Sequence, residues 1–317
     1  MPPGPTLVTG AAGFAGGHLI DRLAPQGNIV AVYHSQSGQP DRHIDGCVWQ
    51  PMDVQDRGSV EVAITAVRPD RIYHLAGAPH PGESWLQSVH HLRLHVLGTH
   101  YLLDAVRRFV PRCRVLVVTS AQIYRTSPEA LDEEAPLQPA NPYGLSKLAE
   151  DQLALDAARQ DDLDVVIARP FNHAGPRQAA TFSLPSFARQ IARIELGTAP
   201  PELQVGNLDA RRDVSDVRDV VAAYERIMEA APTARPFNVC RGEAYVMGDL
   251  LTRLAEMASV RVRTVTDPDR LRPNDQPVVL GNPARLRTEL GWSPVISIDT
   301  TLQDTLDWWR GEVRRTG

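Results

Sequence analysis

Tyr143 and Lys147 stand four residues apart in the run Ala140-Asn-Pro-Tyr-Gly-Leu-Ser-Lys-Leu-Ala-Glu150. On a helix, that spacing puts both side chains on one face, about one turn apart. A free phenol titrates near 10, and a neighbouring ammonium favours its ionised form. Such a Tyr can give or take a proton near neutrality, which suits a ketone or an alcohol as substrate. Alone the pair is weak, because any long chain contains a few by chance. Ser120 closes the apolar run Arg114–Thr119. If that run is a parallel strand, its carboxyl end opens onto a ligand crevice, where the Ser120 hydroxyl could meet the same oxygen as Tyr143. A turn residue is the plainer reading of a lone Ser.

Gly10-Ala-Ala-Gly13-Phe14-Ala-Gly16 follows an apolar run and opens a helical pattern. Glycines let a backbone turn tightly against a pyrophosphate, and the helix N-terminus then offers free amides and a positive dipole end. The spacing is G-x-x-G-x-x-G rather than the more familiar G-x-G-x-x-G. At the end of the second strand, an acid would select NAD through the ribose 2′-hydroxyl. The chain has Tyr33-His34-Ser35 there and no carboxylate until Asp41. A 2′-phosphate meets no repulsion at that point, and His34, Ser35 and Arg42 are candidates to contact it. NADP(H) is therefore favoured, with NAD(H) possible. Solvated loop residues are the alternative. Asp53-Val54 follows the third strand and could face adenine; a solvated acid reads equally well.

These residues need a scaffold that gathers strand ends. Apolar runs at Thr6–Thr9, Asn28–Tyr33, Cys47–Gln50, Arg71–Ala76, Arg114–Thr119 and Asp164–Ala168 alternate with helical patterns up to Leu23, near Val60–Val67, over Trp85–Phe109 and from Tyr143. Alternation of this kind implies βαβ units and an α/β fold, a Rossmann-type doubly wound parallel sheet. Beyond Arg169, prolines break the pattern. Helices near Phe182–Leu196, Val217–Glu229 and Gly248–Ala258, strands at Leu203–Val205 and Phe237–Val239, and a Trp-containing C-terminal helix are expected. We therefore expect a dinucleotide-binding domain over 1–170, with segments returning to it near 205–240, and a smaller substrate-binding lobe over 171–317.

The 317 residues suffice for two lobes, and 43% hydrophobic and 22% charged residues are ordinary for a globular chain. A net charge of −5 points away from nucleic acid and anionic membrane. Cys47, Cys113 and Cys240 are few, odd in number and widely spaced, which argues against disulfides or a Cys-based metal site and for a reducing cytoplasm. Met-Pro-Pro-Gly-Pro runs straight into the first strand, leaving no room for a signal peptide. His80, His90, His91 and His100 lack ligand spacing, so no metal is expected.

In this order, the motifs resemble the extended short-chain dehydrogenase/reductases that act on nucleotide-linked sugars. The match combines Gly10/Gly13/Gly16, Asp53-Val54, His74-Leu75-Ala76, Ser120 with Tyr124, Tyr143-x-x-x-Lys147 and Arg169-Pro-Phe-Asn-His-Ala-Gly-Pro176. Within that family, the Arg-Pro-Phe-Asn-His run, Gly206–Asp213 with Asp216–Asp219, Ser186-Phe-Ala-Arg-Gln190 and Leu271-Arg-Pro273 are similar to the GDP-mannose branch, and most to its 4-keto-6-deoxy-sugar reductases. The resemblance implies Tyr143 as proton donor, Lys147 on the nicotinamide ribose and Ser120 on the sugar C4 oxygen. It implies Gly10, Gly13, Phe14, Gly16, Leu75 and Ala76 along the cofactor. Gln122, Asn172 and Arg189 would line the substrate, Arg212 and Arg272 would hold its diphosphate, and Asp275 would bind the nucleoside ribose. The implied substrate is a GDP-linked sugar, and the implied assembly is a homodimer paired through helices near Trp85–Phe109 and Pro142–Arg159.

The departures narrow the reaction. The 4,6-dehydratases of the family carry a glutamate where this chain has Gln122, and an amide is no carboxylate base. Reduction of a 4-keto sugar is thereby favoured over elimination. Dehydration or 4-epimerisation is the nearer alternative, and a silent dinucleotide-binding regulator the remote one. His95 stands where an Asn is frequent, and Arg125 replaces a common glycine.

Overall fold

The computed structural model describes residues 4–78, 84–271 and 276–316. Its strands are β1 Thr6–Thr9, β2 Ile29–Tyr33, β3 Cys47–Pro51, β4 Arg71–His74, β5 Arg114–Val118, β6 Val165–Pro170, β7 Asn172–Ala174, β8 Glu202–Val205, β9 Arg211–Asp216, β10 Pro236–Val239, β11 Ala244–Val246, β12 Arg263–Thr266 and β13 Val278–Val279. Its helices are α1 Phe14–Leu23, α2 Arg57–Val67, α3 Ser88–Leu92, α4 Gly98–Phe109, α5 Pro142–Gln160, α6 Ser183–Glu195, α7 Val217–Ala230, α8 Met247–Glu256, α9 Ala284–Leu290 and α10 Ile298–Thr316.

Among the described residues, a seven-stranded sheet runs in the order β10-β6-β5-β4-β1-β2-β3, with every pairing parallel. Right-handed crossovers put helices on both faces of such a sheet, so its strands must be apolar on both sides. The side chains divide accordingly. Val8, Tyr73, Leu116, Val166 and Ala168 pack with α1, α7 and α9 on one face. Leu7, Ile72, Val115, Val117, Val165 and Ile167 pack with α2, α4 and α5 on the other. Each fully buried aliphatic chain of this kind contributes about 1.5–3 kcal/mol of transfer free energy. The sheet order matches the doubly wound arrangement expected from the alternating pattern. The order reverses between β1 and β4, and a crevice opens there at the strands' carboxyl ends.

The strand β10 returns to the main sheet beside β6, and α7 packs on its first face. A third core gathers Phe187 and Ile191 of α6, Leu250 and Leu254 of α8, and Leu302 and Leu306 of α10. A second sheet, β11-β9-β13 with β7 paired to β9, lies between these layers in the chain path. Apolar periodicity gives no strand at β9, because Arg211-Arg-Asp-Val-Ser-Asp216 reads as polar. It is nonetheless buried from Asp213 to Asp216. Asp213 accepts backbone N–H bonds from Arg241, Gly242 and Gly281, and Asp216 accepts from Arg218 and from the Thr301 hydroxyl. Buried polar groups with partners of this kind are tolerated where a pattern rule looks for apolar ones.

The long helix expected over Trp85–Phe109 begins at Ser88 and is broken by a π-helical turn at Arg93–Leu97 before α4. Such turns often accompany functional sites. This one carries His95, which is fully buried.

Candidate active site

The turn after β1 is shaped by its glycines. Gly10 adopts φ +68°, and a Cβ there would stand 2.7 Å from the Leu75 carbonyl. A Cβ on Gly16 would collide with the Gly10 carbonyl oxygen. These close approaches seat the turn after β1 against Leu75, just past the end of β4, and the first turn of α1 against that turn. Gly13 is the N-cap residue of α1 and supplies no side chain to it. The amides of that first turn are therefore placed to meet anionic oxygens.

A cavity of about 800 Å³ opens at this point. Its walls bring together Gly10, Gly13, Phe14, Gly16, His34, Val54, Leu75, Ala76, Ser120, Gln122, Tyr143, Lys147 and Asn172. The size suits a dinucleotide together with part of a second ligand. Among the described lining residues there is no carboxylate, while Lys147 and Arg177 are present. The glycine cradle, the uncapped helix end and this charge balance fit a pyridine dinucleotide.

At the far end of β2, His34 lines the cavity and its Nδ1 accepts the Gln36 N–H, capping the short turn Ser35–Ser37. Ser35 begins that turn, but Ser37 is the serine that reaches the cavity wall. Asp53 stands behind the wall. Its Oδ1 accepts the Gln55 N–H at 2.9 Å and its Oδ2 lies 3.5 Å from His34 Nε2. Arg42 points to Asp21 and to the Gly17 carbonyl, and Arg177 donates to the other Asp21 oxygen at 2.8 Å. Burial pushes the Asp21 carboxyl up, but its hydrogen bonds from the two guanidiniums prevail and hold it below the usual carboxylate range.

The start of α5 carries the chemistry. Asn141 caps the helix by accepting the Gly144 N–H at 2.8 Å, and Pro142 occupies the first turn, where a missing N–H costs nothing. A Cβ on Gly144 would collide with the Gln122 carbonyl, so α5 packs directly on the Ser120–Gln122 turn. Tyr143 and Ser120 thus share one wall. Ser120 Oγ accepts the Gln122 N–H at 3.1 Å, which leaves its own hydrogen to donate. The Gln122 side-chain oxygen accepts from Asn141 Nδ2 at 3.3 Å.

Lys147 Nζ donates to the Val118 carbonyl at 3.0 Å and to Glu150 Oε2 at 2.7 Å. One ammonium hydrogen remains for the cavity side. The rings of His91 and His95 stand edge-on to Tyr143, with centroids 5.8 and 5.6 Å away. His95 is held by both nitrogens. Ser146 donates its hydroxyl to the Tyr143 carbonyl and so receives His95 Nδ1–H, while Nε2 accepts the Ala78 N–H. Burial, reinforced by the Lys147 charge, pushes His95 far below the ordinary imidazole range.

Arg169 lies beneath the site rather than in it. It is buried and grips Asp151 with two bonds of 2.9 and 2.7 Å while donating to the Tyr124 hydroxyl. Asn172 sits on β7, in register with Val214 of β9, two residues from Arg212. Arg212 Nη1 donates to the Gln276 carbonyl at 2.7 Å and does not line the cavity. Arg189 is exposed on α6 with its guanidinium 5.8 Å from the Trp309 ring, also away from the cavity. Arg272 and Asp275 lie outside the described residues. Sequence reasoning gave no role to Glu150, Arg177 or Tyr224. Glu150 could have been noticed three residues from Lys147 on the same helix face. Arg177 follows directly on the Arg169–Pro176 run and Tyr224 lies within the expected helix Val217–Glu229, but nothing local in either segment shows that its side chain reaches the cavity.

The geometry has counterparts among known proteins. A family model described as GDP-mannose 4,6 dehydratase matches residues 7–305. A Pseudomonas aeruginosa protein named GDP-6-deoxy-D-mannose reductase is 34% identical over 315 residues, spanning 97% of this chain and 98% of its own length. The structure of RMD from Pseudomonas aeruginosa complexed with NADPH superposes with a TM-score of 0.82 at 31% identity, over 97% of this chain and 99% of that one. A Thermus thermophilus UDP-glucose 4-epimerase complexed with NAD reaches a TM-score of 0.86 at 25% identity, over 97% and 99% of the two chains.

Proposed function

The chain belongs to the GDP-mannose 4,6-dehydratase family, and on that premise we propose that it reduces a nucleotide-linked 4-keto-6-deoxy sugar with NADPH. The substrate is GDP-4-keto-6-deoxy-D-mannose, and the product is a GDP-6-deoxyhexose such as GDP-D-rhamnose. NAD(H) is the secondary cofactor.

One observation carries the choice of reduction over elimination. Ser120, Tyr143 and Lys147 meet at a wall whose described residues include Gln122 and no carboxylate. Hydroxyl and phenol donors suit a ketone oxygen that gains negative charge. Removal of a carbon-bound proton calls for a base that this wall does not offer.

The bound reduced dinucleotide supplies the hydride. Ser120 donates a hydrogen bond to the C4 oxygen, freed to do so by the Gln122 N–H on its own oxygen. Tyr143 delivers the proton to that oxygen. Lys147, anchored on Val118 and Glu150, would hold the nicotinamide ribose with its remaining N–H, its charge beside the phenol. Asn172 and the Gln122 amide contact the sugar, Arg212 and Arg272 hold the diphosphate beyond the cavity wall, and Asp275 binds the nucleoside ribose. Residues 1–170 with β10 and α7 form the cofactor lobe, and the remainder forms the substrate lobe.

The assembly is a homodimer. Trp85, Leu86, Val89, Leu92, Leu97 and Leu145 expose apolar surface along the α3–α4 stretch and α5, as a four-helix interface requires. The three cysteines are free, which suits a reducing cytoplasm. Among the described residues, no helix is long and apolar enough to cross a membrane.

The test is NADPH oxidation in the presence of GDP-4-keto-6-deoxy-D-mannose, compared with GDP-mannose alone. Oxidation that depends on the keto sugar is expected. Interconversion of sugar nucleotides with no net NADPH loss would replace this reading with epimerisation or dehydration.

A further inference from the structure

We propose that Glu150 is a positioning residue that compensates the Lys147 charge and so keeps Tyr143 in its protonated, acid form. The inference deepens the reductase reading and rests on it for its purpose. An ammonium next to a phenol favours the phenolate, which serves oxidation of an alcohol. Reduction needs the phenol. A fully buried carboxylate 2.7 Å from Lys147 Nζ offsets the field of the ammonium that shares the cavity wall with Tyr143.

The hydrogen bonds around Glu150 run in one direction. The backbone N–H groups of Leu75 and Ala76 donate to Thr9 Oγ1, at 3.2 and 3.1 Å. The Thr9 hydroxyl donates to His74 Nδ1 at 2.8 Å, and His74 Nε2–H donates to Thr99 Oγ1 at 2.9 Å. The Thr99 hydroxyl donates to Glu150 Oε1 at 2.9 Å. With Lys147 on Oε2, both carboxylate oxygens accept a hydrogen bond, as suits the ionised form. Burial raises the Glu150 carboxyl above the usual carboxylate range, against the opposing pull of Lys147 and Thr99. The same chain fixes His74 as its neutral Nε2–H tautomer, and burial lowers that imidazole to about 3. The wire therefore begins at the cavity wall and ends at the ion pair, with Thr9, His74, Thr99 and Glu150 all fully buried.

The other titratable groups packed around the pair do not cancel Lys147 in this way. His74 comes from β4, His90 and His91 from α3, and His95 from the π-helical turn. Asp151 of α5 is spent on the two bonds from Arg169 of β6. Tyr224 of α7 lines the same cavity, and its phenol carries no charge to set against Lys147.

The test compares wild type with Glu150→Gln in two ways. The first is the kcat–pH profile of keto-sugar reduction. Because the protonated phenol is the active form, turnover is present below its ionisation and lost above it. Removing the carboxylate leaves the ammonium unopposed, so the alkaline limb moves to lower pH by roughly one unit. The second readout is tyrosinate ultraviolet absorbance against pH, with the matching Tyr143→Phe proteins subtracted. It needs no substrate, so it decides the role of Glu150 even if the keto sugar is not turned over. The same downward shift is expected there. Thr99→Ala, which removes one hydrogen bond from the carboxylate and leaves Lys147 on it, should move both readouts by less than Glu150→Gln does. Glu150→Met, of similar length and apolar, serves if the Gln variant does not fold. An unchanged limb and an unchanged tyrosinate midpoint in a folded Glu150 variant would overturn the proposal, as would an equal downward shift in Thr99→Ala.

Discussion

Tyr143 is 9% exposed and edge-on to two imidazoles, so its ring is held by packing that a phenylalanine would keep. Tyr143→Phe should therefore leave the fold and NADPH affinity within about two-fold while lowering kcat by about 10²–10⁴, the range for loss of a positioned proton donor. Stopped-flow turnover and fluorescence titration of NADPH check the two halves separately. Tyr143, Lys147 and the three glycines could be read from the chain because their partners are near in sequence and their spacing is itself the signal. The support beneath them could not. Thr9 meets His74 across 65 positions and Thr99 meets Glu150 across 51. No local pattern ties such residues together until the sheet places their strands side by side.

Helix α1 and the loop after β7 show how one element steadies another. His18 on α1 donates Nε2–H to the Pro176 carbonyl at 2.9 Å, joining the cofactor-side helix to the segment that carries Asn172. Burial lowers the His18 imidazole to about 4. Its folded value is thus depressed, so its contribution is complete above the unfolded value near 6.5 and is lost as pH falls toward 4. His18→Gln retains an N–H donor without the titration. Urea unfolding at about pH 7 and about pH 5 should show the wild type losing about 1–2 kcal/mol more than the variant over that interval. Equal losses would mean that His18 is not the titrating group. The apolar strands of the main sheet were legible for the reason that makes them stable, burial on both faces. The short strands β7, β9, β11, β12 and β13 were not, because they carry little apolar sequence and are fixed by partners elsewhere. For β9, those partners are the buried bonds of Asp213 and Asp216. The π-helical turn at Arg93–Leu97 was also missed. A one-residue widening changes no composition, yet it accompanies the inward placement of His95.

On the scale of the molecule, one sheet presents its strand ends to a cavity, and a separate apolar core gathers α6, α8 and α10. The exposed Leu86, Val89 and Leu97 give this body an apolar flank beside the site. Light scattering should report twice the chain mass of 34.9 kDa for the wild type and the single-chain mass after Leu97→Glu with Leu145→Glu. A wild type that runs as a single chain would remove the proposed helix-paired dimer. The central claim is hydride delivery to the sugar C4. Its most direct measurement is reduction of GDP-4-keto-6-deoxy-D-mannose with NADPH deuterated at the transferable position, followed by NMR of the sugar. One deuterium on C4 of a GDP-6-deoxyhexose for each NADPH oxidised is the expected result. A product without deuterium at C4, or conversion without net oxidation of NADPH, would contradict it.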